Sequence, residues 1–212
     1  MATGEMQPAL DTFNKELDRA SSLVADIQKL RRPPPATARH PGLPELQLHL
    51  VRELAFLRCL LAWETFLEDS FLVYLTGGEG LSGKRANALV TAKTVPQARA
   101  VLLGDQDFLS WSGSAACDRA RVWFSDGEPY VRAFGAFPTN KEMWTVRNRI
   151  AHNSGKAQET FNKLRREAFP NAKDRHGMGP GAFLARPFGR HSSRFAAYVL
   201  DLRAAATTIA QN

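Results

Sequence analysis

Apolar positions recur every three or four residues from about Pro8 to Leu30, at Leu10, Phe13, Leu17, Leu23, Ile27 and Leu30. That period predicts an amphipathic helix. The run RRPPPATARHPGLP follows it, and its prolines predict a stiff extended connector that cannot continue the helix. From Glu45 to about Leu75 the chain has no Gly or Pro and is apolar around most of a helical circumference. A helix of this kind is expected to pack against neighbours on several sides, with Gly77 and Gly78 stopping it. Shorter helices are expected near 83–92, 96–103 and 114–125. Thr139-Asn140 is positioned to cap a helix from Lys141 to about His152, after which Asn153, Ser154 and Gly155 interrupt the pattern. A further amphipathic segment carries Ala157, Phe161, Leu164 and Ala168 on one face. Residues 170–191, rich in Gly, Pro and basic residues, read as a long irregular surface loop. A closing helix over 192–211 has Ser192 or Ser193 as its cap.

Period-two alternation is sustained nowhere, so an all-α fold is expected. The 212 residues suit one domain, 1–212, with a core over about 8–170, the basic loop over 170–191 and the closing helix. Composition, at 44% hydrophobic and 23% charged, is that of an ordinary globular chain. The beginning of the chain lacks the pattern of a secretory signal, and Arg58 breaks the longest apolar stretch, LAFLRCLLAW, so no membrane association is expected. With only Cys59 and Cys117, a disulfide framework is not expected and a cytoplasmic location is.

Charge changes this picture, because it is unevenly placed. Residues 1–140 carry 15 Lys+Arg against 16 Asp+Glu, whereas residues 141–212 carry 13 against 5. A basic final third predicts a polyanionic partner, nucleic acid before membrane.

Within that third, WTVRNRIAHNSG sets Arg147 among Met143, Trp144, Val146, Ile150 and Ala151 on one helical arc. A guanidinium keeps its charge, so one turned inward needs a carboxylate, carbonyls or a phosphate. Glu64 and Glu68, spaced i, i+4 in AWETFLEDSF, are the expected acidic partners. In a straight helix His152 would lie about 140° around from Arg147. The two therefore meet only if the helix ends near Asn153, whose backbone tolerates left-handed angles as that of Gly155 does, or if a second subunit contributes. Asn148, one i, i+4 step before His152, is placed to bond the imidazole.

The segment Arg147-Asn148-Arg149-Ile150-Ala151-His152 resembles the signature of the HEPN superfamily: an Arg, four to six residues and a His, with Asn after the Arg and Ile-Ala before the His. The acidic cluster on a long apolar upstream helix is similar too, as in the stand-alone HEPN proteins of prokaryotic defence loci, including the RiboL-PSP-HEPN group. The resemblance implies a helical bundle that dimerises so that two signatures line one cleft, acting as a metal-independent, cofactor-free endoribonuclease of a toxin or antiviral system, with an antitoxin or defence-system partner. It implies catalytic roles for Arg147 and His152 and supporting roles for Asn148, Glu64 and Glu68. Arg149, Lys156 and Lys163 are the expected RNA contacts. The alternative is a catalytically inactive HEPN-like module that binds RNA or protein. One version of the family pattern has a modifiable Tyr two residues after the His; Ser154 stands there, so that regulation is not expected.

The residue types suit this chemistry. His152 can take a proton near neutral pH, and Arg147 can hold a phosphate as charge builds on it. Histidines at 40, 49, 152, 176 and 191 are too scattered for a metal cluster. GEGLSGKR, 78–85, approaches a phosphate-loop pattern, but Arg85 replaces the required hydroxyl and the stretch follows a helix rather than a strand.

Overall fold

The computed structural model describes residues 5–31, 42–111 and 114–212. Most of the expected proline connector, 32–41, lies outside the described residues. The protein is all-α: the described residues form helices and turns with no strand, only isolated bridges. The helices are α1 (Met6–Lys29), α2 (Glu45–Leu75), α3 (Val95–Leu103), α4 (Ala115–Trp123), α5 (Tyr130–Gly135), α6 (Asn140–Ala151), α7 (Gly155–Ala168), α8 (Ala172–Arg175), α9 (Pro180–Ala185) and α10 (Arg194–Gln211). A short 3-10 turn, Ser125–Gly127, precedes α5.

The chain divides into two compact units, and the divisions fall inside helices rather than at a linker. Unit one comprises residues 1–16, 61–140 and 201–212; unit two comprises 17–60 and 141–200. Unit one has an aromatic interior. Trp63 meets Phe13 at 5.8 Å and Phe137 edge-on at 5.9 Å, while Phe71 meets Tyr130 at 4.1 Å and Trp111 at 4.8 Å. Such contacts add about 0.5–1.5 kcal/mol per pair beyond the burial of area. The Tyr74 hydroxyl donates to the carbonyl of Ile209 (2.5 Å), tying α2 to the end of α10.

Unit two packs Phe56 against Tyr198 and Phe161 against Phe183. Its main polar tie is Glu142 on α6, which accepts hydrogen bonds from both Arg194 and Tyr198 of α10. Burial, reinforced by the Glu142 charge, pushes the Tyr198 hydroxyl well above its ordinary range.

Three expectations require correction. Residues 83–92 form no helix; their backbone is carried by bonds such as Leu89 N–H to Trp123 O and Ala92 N–H to Leu75 O. Residues 170–191 are not a surface loop: they contain α8 and α9, and Met178, Phe183 and Leu184 are buried. Gly181 lies so close to α2 that a Cβ there would fall 2.3 Å from the His49 carbonyl oxygen. The long apolar helix α2 is buried along most of its length, with Leu46, Leu50 and Leu54 near its start each more than half exposed. Helix α6 starts one residue earlier than expected, at Asn140, and the hydroxyl of Thr139 before it donates to Asp201 (2.5 Å). Ser193 does cap α10, accepting from Ala196 N–H at 3.1 Å.

Candidate functional site

Met143, Trp144 and Val146 anchor α6 by burial, which leaves Arg147 half-buried at the edge of that face. The helix ends at Ala151. His152 still donates its backbone N–H to the Asn148 carbonyl (2.9 Å), but its side chain is already beyond the last helical residue. Here Arg147 Nη1 lies 3.3 Å from His152 Nε2, both within one chain. A guanidinium only donates, so Nε2 accepts and the ring carries its proton on Nδ1.

The break that permits this contact differs from the expected one. Neither Asn153 nor Gly155 has a positive φ. Instead Ser154 adopts an extended backbone (φ −86°, ψ 150°), and its hydroxyl accepts from Ala157 N–H at 3.2 Å to start α7. The helix stops because the next one is capped three residues after its last residue.

Asn148 meets the arginine rather than the histidine: its Oδ1 accepts from Arg147 Nη1 at 3.4 Å. The guanidinium also stands 5.9 Å from the centre of the Trp144 ring. Of the expected acidic partners, both on α2, Glu68 pairs with Arg99 at 3.0 Å within unit one.

A different carboxylate of α2 belongs to the unit of the signature. Glu53 accepts the backbone N–H of Gly181 at 2.7 Å and feels the charge of Arg149. Burial pushes its carboxyl above the usual range, against the opposing pull of that hydrogen bond and of Arg149. Helical spacing alone had no means of selecting it over Glu64 or Glu68.

Lys156 and Lys163 are exposed on α7, and Arg149 is half-buried on α6. Lys156 lies at the start of α7, close in sequence to the paired Arg147 and His152. The phosphate-loop-like stretch closes on itself: Gly80 N–H donates to Lys84 O (2.7 Å), and Arg85 pairs with Glu79 (3.1 Å). Among the described residues no three His, Cys, Asp or Glu come together as a metal site, and no helix is long and apolar enough to cross a membrane.

Compared with family models, curated proteins and solved structures, the chain matches none.

Proposed function

We propose that the protein is a metal-independent endoribonuclease of the HEPN kind, in which Arg147 and His152 cut RNA. The observation that carries this reading is the 3.3 Å contact between Arg147 Nη1 and His152 Nε2 at an exposed helix end, in the basic part of the chain. In this reading the 2′-hydroxyl of RNA gives its proton to His152 and attacks the adjacent phosphorus. The bond to the 5′-oxygen breaks and that oxygen takes a proton from water, leaving a 2′,3′-cyclic phosphate and a 5′-hydroxyl, while His152 gives its proton up to solvent. Arg147 swings from the imidazole to the phosphate and stabilises the charge that builds there. Asn148 holds the same guanidinium nitrogen that meets His152. Two copies assemble so that both signatures line one cleft, as the resemblance implies, and a toxin or antiviral role follows for such an activity.

The test is incubation with RNA in excess chelator. Wild-type protein is expected to release cyclic-phosphate ends, and His152→Ala to lose at least about a hundredfold in rate. Undiminished cutting by His152→Ala overturns the assignment. RNA binding without any cleavage by wild type would instead favour a catalytically inactive binding module.

A further inference from the structure

Three helical faces of unit one enclose an open cleft of about 290 Å³. Helix α2 contributes Asp69, Leu72 and Val73, and α3 contributes Val95 and Arg99; within each set the spacing of three or four residues puts the side chains on one face. The start of α1 supplies the third wall, with Thr12 and, just before the helix, Glu5. Leu72 and Val73 are buried and Val95 is half-buried, which makes an aliphatic floor. None of these residues belongs to unit two, which carries the signature.

The charges on the walls are only partly committed. Arg99 Nη2 meets Glu68 at 3.0 Å, and among the described residues no other hydrogen bond or ion pair engages its guanidinium. Asp69 is half-buried, and among the described residues no hydrogen bond or ion pair holds its carboxylate. Burial pushes that carboxyl above the usual range and Glu68 pushes it further, while Arg99 draws it down. Asp69 and Arg99 therefore line one cleft, each in the other's field, without pairing with each other. A half-buried carboxylate without donors has lost hydration and gained nothing in return. The guanidinium fork, for its part, keeps nitrogens suited to a second carboxylate.

We propose that the cleft binds a free aliphatic α-amino acid, with its ammonium on Asp69, its carboxylate on the remaining nitrogens of Arg99 and its side chain on Leu72, Val73 and Val95. An α-amino acid carries both charges on one carbon, so it bridges two opposite charges that share a cleft and stay apart. Glu5, which is exposed, adds a second carboxylate for the ammonium. The size agrees: 290 Å³ is the share of roughly ten waters, which is room for an amino acid of the size of leucine. The inference is independent of the ribonuclease reading.

Calorimetric titration of the full chain with L-leucine tests it, beside two probes that each keep one charge: isoamylamine, which lacks the carboxylate, and 4-methylpentanoate, which lacks the ammonium. Leucine is expected to bind saturably and each probe at least about tenfold more weakly, as for the loss of one charged contact. Asp69→Asn is expected to weaken leucine by about tenfold and to leave 4-methylpentanoate unchanged. Arg99→Gln is expected to weaken leucine similarly and to leave isoamylamine unchanged. No saturable binding up to about 10 mM L-leucine overturns the proposal. Isoamylamine or 4-methylpentanoate binding as tightly as leucine overturns the assignment to a molecule with both charges. Leucine binding that neither variant weakens overturns the assignment to this cleft. The three probes are compared on wild type, so that comparison decides even where a variant fails to fold.

Discussion

In unit one, ring meets ring: Trp63, Phe66 and Phe13 form one cluster, and Phe71, Tyr130, Phe124 and Trp111 another. In unit two, beside ring pairs such as Phe161 and Phe183, most of the close cation contacts with rings are found, although Arg119 also stands 4.5 Å from the Trp111 ring centre in unit one. Arg194 stands 4.5 Å from the ring centres of both Phe183 and Phe188 and 5.3 Å from that of Phe169, while Glu142 neutralises it. Arg165 lies 5.4 Å from the Phe161 ring. The difference separates two uses of positive charge. Enclosed by rings and paired with a carboxylate, Arg194 is a structural part; Arg147, beside Trp144, Asn148 and His152, is the guanidinium that the proposed reading assigns to an anion. Unit two carries the excess positive charge and fixes part of it in place, as at Arg194 and Arg165.

The largest test of this contrast is Trp63→Ala, which removes the centre of the aromatic cluster in unit one. A loss of about 3–5 kcal/mol in denaturant unfolding is expected, as for other buried tryptophans. Its counterpart in unit two is Glu142→Gln, which leaves Arg194 buried without a balancing charge. About 3 kcal/mol of stability should go, and a loss below 1 kcal/mol would show that the ring contacts alone sustain Arg194.

Alkaline pH should act on both units. Burial holds the hydroxyls of Tyr74, Tyr130 and Tyr198 neutral well above the ordinary value of 10.0. Above about pH 10 the unfolded chain releases these protons and the folded chain does not. Stability is therefore full below pH 10 and falls as pH rises, by up to about 1.4 kcal/mol per pH unit for each tyrosine. Tyr198→Phe should flatten that slope by one residue's share, as followed by denaturant unfolding between pH 9 and 11.

The smallest expected effect is that of Glu53→Gln. The amide oxygen can still accept from Gly181, and the half-buried charge disappears, so stability near neutral pH should shift by less than about 1 kcal/mol. Because burial raises the Glu53 carboxyl, its protonated form is the one the fold favours. The difference between wild type and Glu53→Gln should shrink as pH falls through the carboxylate range. A large loss confined to pH above that range would show that Arg149 depends on this charge for its position.

Much of the helical order is legible in sequence because α1, α2, α6, α7 and α10 are long enough for periodicity to register. Six-residue α5 is too short for that, and its start after Pro129 follows a turn whose backbone angles no period encodes. Residues 83–92 carry apolar side chains but are held by backbone bonds to distant chain segments, which a local pattern does not contain. In 170–191 the glycines and prolines suggested a loop, yet Met178, Phe183 and Leu184 bury it and Arg165 and Arg175 satisfy its carbonyls. At the candidate site, the spacing of Arg147 and His152 named the pair and the need for a helix end. The cap by Ser154 that produces that end is a local contact with Ala157, whereas the bond of Glu53 to Gly181 depends on tertiary placement.

Gly181 also sets how the α9 segment can come loose. Its amide is bonded to Glu53, and its bare Cα rests against the His49 backbone, so the segment cannot slide along α2 and must lift away as a whole. In hydrogen-exchange experiments that amide should behave as a slow reporter for sub-global opening, losing its proton only when the entire 178–185 stretch detaches.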